Sequence, residues 1–98
     1  MAVLVAISIP IFSTQLEKAR EATDAANIRA AYAEGMADIL SNETSTFSKT
    51  VAAKQKEDGW QGVDYSVAGN EIGGQLVDAS TTGWVVAASG DTVTITAQ

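Results

Sequence analysis

Apolar and polar positions change rhythm twice along the first part of this chain. From Met1 to Phe12 (MAVLVAISIPIF) there is no charge and scarcely a polar side chain. From Glu17 to Asp24 (EKAREATD) charge dominates. From Ala25 onward Ile28, Tyr32, Met36, Ile39 and Leu40 recur at three- and four-residue spacing. That spacing puts them on one helical face, which needs a sheet to pack on. Residues 1–41 therefore predict one long helix, stopped by Ser41-Asn42. Gly35 costs that helix about 1 kcal/mol relative to Ala, and marks either the close approach of another backbone or local fraying.

Beyond Ser41 the rhythm shortens, and seven of the eight glycines lie there. Residues 46–55 alternate loosely, with Phe47, Val51 and Ala53 on one side and Ser48, Thr50 and Lys54 on the other. A strand is the reading, although VAAKQKE also passes for a helical turn. Glu57 to Gly62 (EDGWQG) is a turn-rich break, and the short apolar pieces of residues 63–80 fit no single period. The end is clearer: WVVAA and TVTIT flank Ser89-Gly90-Asp91, a β-hairpin signal. Val93 and Ile95 fall on the face opposite Thr92, Thr94 and Thr96. The expected fold is α+β, a long amino-terminal helix (1–41) packed on a small antiparallel sheet carried by residues 42–98, in a single domain.

Composition removes several functions. The 98 residues suit one modest core. With no Cys and no His, disulfides, thiolate chemistry and the commonest general base and metal ligand are gone. Six basic against twelve acidic residues give a net charge of −6, and the cations form no dense patch in the sequence, which disfavours a nucleic-acid partner. There is no phosphate-binding loop, dinucleotide fingerprint or nucleophile elbow. We expect no enzyme, no cofactor and no small-molecule substrate.

Other candidate chemistry is thin. EDGWQGVD loosely resembles an oxygen-ligand calcium loop without EF-hand spacing, and is read first as a solvated turn. Trp60 and Trp84 are read as core before they are read as platforms for sugars. Asn42-Glu43-Thr44 fits a glycosylation sequon, a pattern short enough to arise by chance. On the helix, Arg20 can bridge Glu17 and Asp24. Glu34 and Asp38 form a like-charge pair, read as solvent-exposed ahead of being met by a cation from another subunit.

The apolar start is the strongest signal. Twelve helical residues rise about 18 Å against a hydrocarbon thickness of about 30 Å, too little to span. No basic leader or cleavage site makes it a signal peptide, and a helix apolar all round needs cover on every side. The expectation, ahead of an ordinary core helix, is a remnant of a longer apolar helix whose missing beginning would complete a membrane span.

These residues carry a resemblance. AVLVAISIPIFSTQLEKAREATDAANIRAAYAE is similar to the amino-terminal helix of type IV pilins and pseudopilins, in its Ala/Val/Ile/Leu run, in I-P-I-F around Pro10, and in the abrupt change to a charged, Ala-rich helix. The resemblance is strong as far as Leu40 and beyond it is only one of layout. Family members begin with a methylated Phe and a T-L-I-E-like stretch, cut after a Gly; this sequence lacks them and the acidic residue used in assembly, so processing is implied only for a longer form.

The resemblance implies a structural subunit of a pilus or pseudopilus in a bacterial cell envelope. Such a subunit is stored in the cytoplasmic membrane and then assembled, with copies of itself or related subunits and the assembly machinery, into a surface filament. Val3, Leu4, Val5, Ile7, Ile9, Pro10, Ile11 and Phe12 would make the membrane and filament contacts, with Pro10 kinking or locally melting the helix. Glu17, Lys18, Arg20 and Glu21 would make polar contacts between subunits or to solvent, and Ile28, Tyr32, Met36, Ile39 and Leu40 would hold the spine to the sheet. The alternative is a soluble surface module binding a carbohydrate or protein ligand through its Trp-bearing loops.

Overall fold

The computed structural model describes residues 2–42 and 45–98, with side chains from Thr14 onward. One helix, α1 (Ala2–Ser41), is followed by three strands: β1 (Ser48–Ala52), β2 (Gly83–Ser89) and β3 (Thr92–Ala97). The fold is α+β, with the helix packed on a three-stranded antiparallel sheet of order β1-β2-β3. Forty helical residues rise roughly 60 Å, and the longest dimension of the molecule is 62 Å. The helix therefore sets the length of the molecule, and it carries through Pro10 without interruption.

The core lies where the second half of α1 meets the sheet. Ala25, Ile28 and Ala31 are fully buried, against Val51, Trp84, Val86 and Val93 from the three strands. Tyr32, Met36 and Ile39 are partly buried on the same core, but Leu40 is 84 % exposed and takes no part in it. One residue is a 100° step around a helix, so Leu40 turns off the face that ends with Ile39.

Gly35 resolves in favour of close approach, though to side chains rather than backbone. A Cβ there would lie 3.0 Å from both Phe47 and Val93. The missing side chain lets the sheet close against α1, which offsets the propensity cost.

The hairpin forms as expected, with Ser89 opposite Thr92 across a two-residue turn. β1 is shorter than the alternation implied, Ser48–Ala52 rather than residues 46–55. Gly83 sets the entry to β2, where its φ of +150° and a hypothetical Cβ only 2.4 Å from the Val51 carbonyl oxygen exclude other residues. The Ser80 hydroxyl secures this corner, accepting from the Thr82 and Gly83 amides and donating to the Gln98 carbonyl.

Residues 53–82 form a long wrapping loop whose one bridge pairs Ile72 with Gln75. It buries Tyr65, Ile72 and Val77. Trp60 and Trp84 stack at 6.1 Å and 8°, and Tyr65 meets the edge of Trp60 at 4.9 Å. Both indole N–H groups donate to loop carbonyls, Trp60 to Val77 and Trp84 to Asp78. The two tryptophans thus pin the loop from inside. Trp84, at 0 % exposure, offers no stacking surface to a sugar.

Candidate functional site

Glu17, Glu21 and Asp24 follow one another at spacings of four and three, so they share a stripe along α1. Their exposures are only 3 %, 2 % and 0 %. Charged groups are buried this deeply only when their oxygens are satisfied. Here each carboxylate collects two consecutive backbone amides from the wrapping loop. Asp24 accepts Lys54 N–H at 2.8 and 3.0 Å and Gln55 N–H at 2.9 Å. Glu17 accepts Lys56 N–H at 3.0 and 2.9 Å and Glu57 N–H at 3.0 Å. Glu21 accepts Gln61 N–H at 2.8 Å on each oxygen and Gly62 N–H at 2.9 Å.

Three helix carboxylates thus stitch residues 54–62 to the spine. A loop has no ladder for its amides, and buried N–H groups need acceptors; α1 provides them. Hydrogen bonds to a charged partner contribute roughly 1.5–3 kcal/mol each, so the stitching does the work of a fourth strand. The oxygens are filled by amides, which makes them clamps rather than open ligands. Among the described residues no group of three or more acidic side chains is arranged to hold a metal ion.

This corrects the expectation for Glu17 and Glu21, which reach neither another subunit nor solvent. Glu17 and Glu21 are taken up within the chain, Arg20 lies 3.5 Å from Glu17, and Lys18 remains exposed. Arg20 does not bridge to Asp24, whose oxygens point to the loop. The EDGWQG turn is likewise held by its amides rather than simply solvated. The only hint in the sequence was the acidic stripe itself, since each partner lies 30 to 41 residues away.

Other expectations also gain partners. Glu34 pairs with Lys49 at 3.0 Å, and Asp38 accepts the Ser45 hydroxyl, so neither needs a cation from elsewhere. Arg29 sits 5.3 Å over the Tyr65 ring. Asp64 accepts the Ser66 hydroxyl and amide, which hold its carboxyl below the usual range, the hydroxyl contributing more. The Gln55 side-chain amide, by contrast, is buried with no hydrogen-bond partner among the described residues.

The two sheet edges differ. Within β3, Val93 and Ile95 turn their backbone groups outward, and the Gln75 side chain covers them. Its nitrogen donates to the Val93 carbonyl, and its oxygen accepts Ile95 N–H at 3.1 Å. One amide side chain stands in for a strand. On β1 the outward groups belong to Ser48, Thr50 and Ala52, because Phe47 and Ala53 bond toward β2.

Val3, Leu4, Val5, Ile7, Ile9, Pro10, Ile11 and Phe12 belong to α1, but their side chains lie outside the described residues, as do Glu43 and Thr44 of the sequon. Among the described residues no helix is long and apolar enough to cross a membrane. No protein-family model, curated protein or solved structure matches this chain.

Proposed function

We propose that this chain is a structural subunit of a type IV pilus-like or pseudopilus filament, assembling through the amino-terminal part of α1. One observation carries the reading: a single 40-residue helix is anchored to its sheet by its second half, while its residues 2–12 have an uncharged, almost wholly apolar sequence. Among the described side chains Thr14, Gln15 and Leu16 are exposed and the buried ones begin at Glu17. A helix that is apolar on every side is stable in lipid or among neighbouring copies of itself. Contacts between copies that do not close on themselves build a helical filament. The stitched loop supports the same reading, since it stiffens the helix from Glu17 to Asp24, the stretch that follows the apolar end.

Light scattering and electron microscopy of the purified chain test this, with and without detergent. The expected result is self-association that detergent reverses and that Ile7→Glu with Ile11→Glu abolishes. A chain that is monomeric without detergent at millimolar concentration, with the double variant behaving identically, would overturn the reading.

A further inference from the structure

Two clefts run beside α1, one against residues 53–56 of the wrapping loop and the other against β1, and they share Lys54. The first, of about 490 Å³, has an apolar floor including Leu16 and Ala53, with Arg20, Lys54 and Lys56 around it. The second, of about 250 Å³, lies between Ala30 of the helix and Lys49, Thr50 and Ala52 of the strand. Together they hold four of the six basic residues of the chain, and no carboxylate lines either one. The fold thus gathers cations that the sequence scatters. Two carboxylates compete from outside the lining: Glu17, 3.5 Å from Arg20 but already holding the Lys56 and Glu57 amides, and Glu34, paired with Lys49 on a half-exposed surface where such pairs contribute little.

The strand wall of the second cleft is the uncovered sheet edge. The outward amides and carbonyls of Ser48, Thr50 and Ala52 have no partner among the described residues, whereas the next outward amide, Lys54, is closed by Asp24. The opposite edge is closed by Gln75. An edge with free donors and acceptors is a template for another strand. From Leu16 to Ala30 the helix rises roughly 21 Å, the length of about six extended residues.

We propose that this crevice binds an extended acidic segment of a partner protein, added as a fourth strand antiparallel or parallel to β1. Main-chain bonds to Ser48, Thr50 and Ala52 supply the register, and alternate carboxylates meet Lys49, Lys54, Lys56 and Arg20. A second copy fits less well. Pairing β1 with itself brings two cationic crevices together, and the acidic loop around Gln61 and Gly62 is already held by Glu21. The inference does not depend on filament formation.

The test is a titration of the isotope-labelled chain with a blocked hexapeptide alternating Glu and Val, followed by amide shifts and hydrogen exchange. The expected result is perturbation and protection at Thr50 and Ala52, weakened by salt. The same peptide with Lys for Glu should leave them unchanged. Lys54→Glu should lower affinity about tenfold, a change of one decade in the dissociation constant. Thr50→Pro should abolish binding, because it removes an outward N–H that no strand of this sheet uses; Pro is tolerated at such edge positions, and unchanged β2–β3 shifts would show the fold intact. No perturbation at millimolar peptide, an equal response to the Lys peptide, or full binding by Thr50→Pro would overturn the proposal. So would protection of the β1 amides on concentrating the chain alone, which would make a second copy the occupant.

Discussion

The carboxylate of Asp24 accepts the backbone N–H of Lys54, thirty residues later, at 2.8 and 3.0 Å. This contact begins a seam that Glu17 and Glu21 continue, and it ends β1 by capturing the next outward amide. A helix side chain thereby decides where a strand stops and where a loop starts. The chain uses carboxylates for backbone architecture, which is why these acidic residues occur in its interior.

Asp24→Asn should test the seam directly. The amide keeps the shape but turns one acceptor into a donor facing the Lys54 and Gln55 amides. Leaving buried donors unpaired costs about 1–3 kcal/mol each. We expect a loss of about 2–4 kcal/mol, read by denaturant unfolding, with Lys54 and Gln55 amides exchanging faster. Loss below the uncertainty of the unfolding curve would show the seam to be idle.

Gly83→Ala probes the corner between the loop and β2. Its φ of +150° is strained for any side chain, and the new Cβ would strike the Val51 carbonyl. Backbone strain alone costs about 1–3 kcal/mol, and the overlap must add to it by separating β1 from β2. A thermal melt should show the drop. An unchanged midpoint would mean the corner relaxes freely.

Gln75→Ala should expose the β3 edge. Two hydrogen bonds are lost, worth about 0.5–1.5 kcal/mol each, and the Val93 carbonyl and Ile95 amide become available to other chains. Turbidity on mild heating should rise relative to the parent chain. Equal solubility of the two would argue that Gln75 does not protect that edge.

Ser66→Ala should shift the titration of Asp64. The Ser66 hydroxyl, ahead of its amide, lowers the Asp64 carboxyl from its ordinary value. A carboxyl lowered on folding stabilises the fold above its unfolded titration range, and the gain disappears as pH falls through the folded value. Carboxyl NMR titration should find the Asp64 midpoint raised in the variant, with its small acid-side stability contribution reduced. A midpoint that does not rise would remove the hydroxyl as the cause.

The sequence alone determined what local periodicity can encode. The face Ala25, Ile28, Tyr32, Met36 and Ile39 repeats at the helical period, and its core position follows. Alternation around a short turn likewise specifies the hairpin, because neighbours in the chain are its partners in space. Leu40 escaped that logic, since apolarity marked it for a core while helix geometry turned it into solvent. Glu17, Glu21 and Asp24 escaped it in the other direction. Polar residues on a helix read as a solvated face, and only the loop brought across them makes the stripe a buried seam. The cationic crevice and the unequal sheet edges arise in the same way, from residues far apart in sequence. Tertiary structure decided these because the free energy of a charge or an amide depends on which distant group displaces its water, and no local pattern records that group.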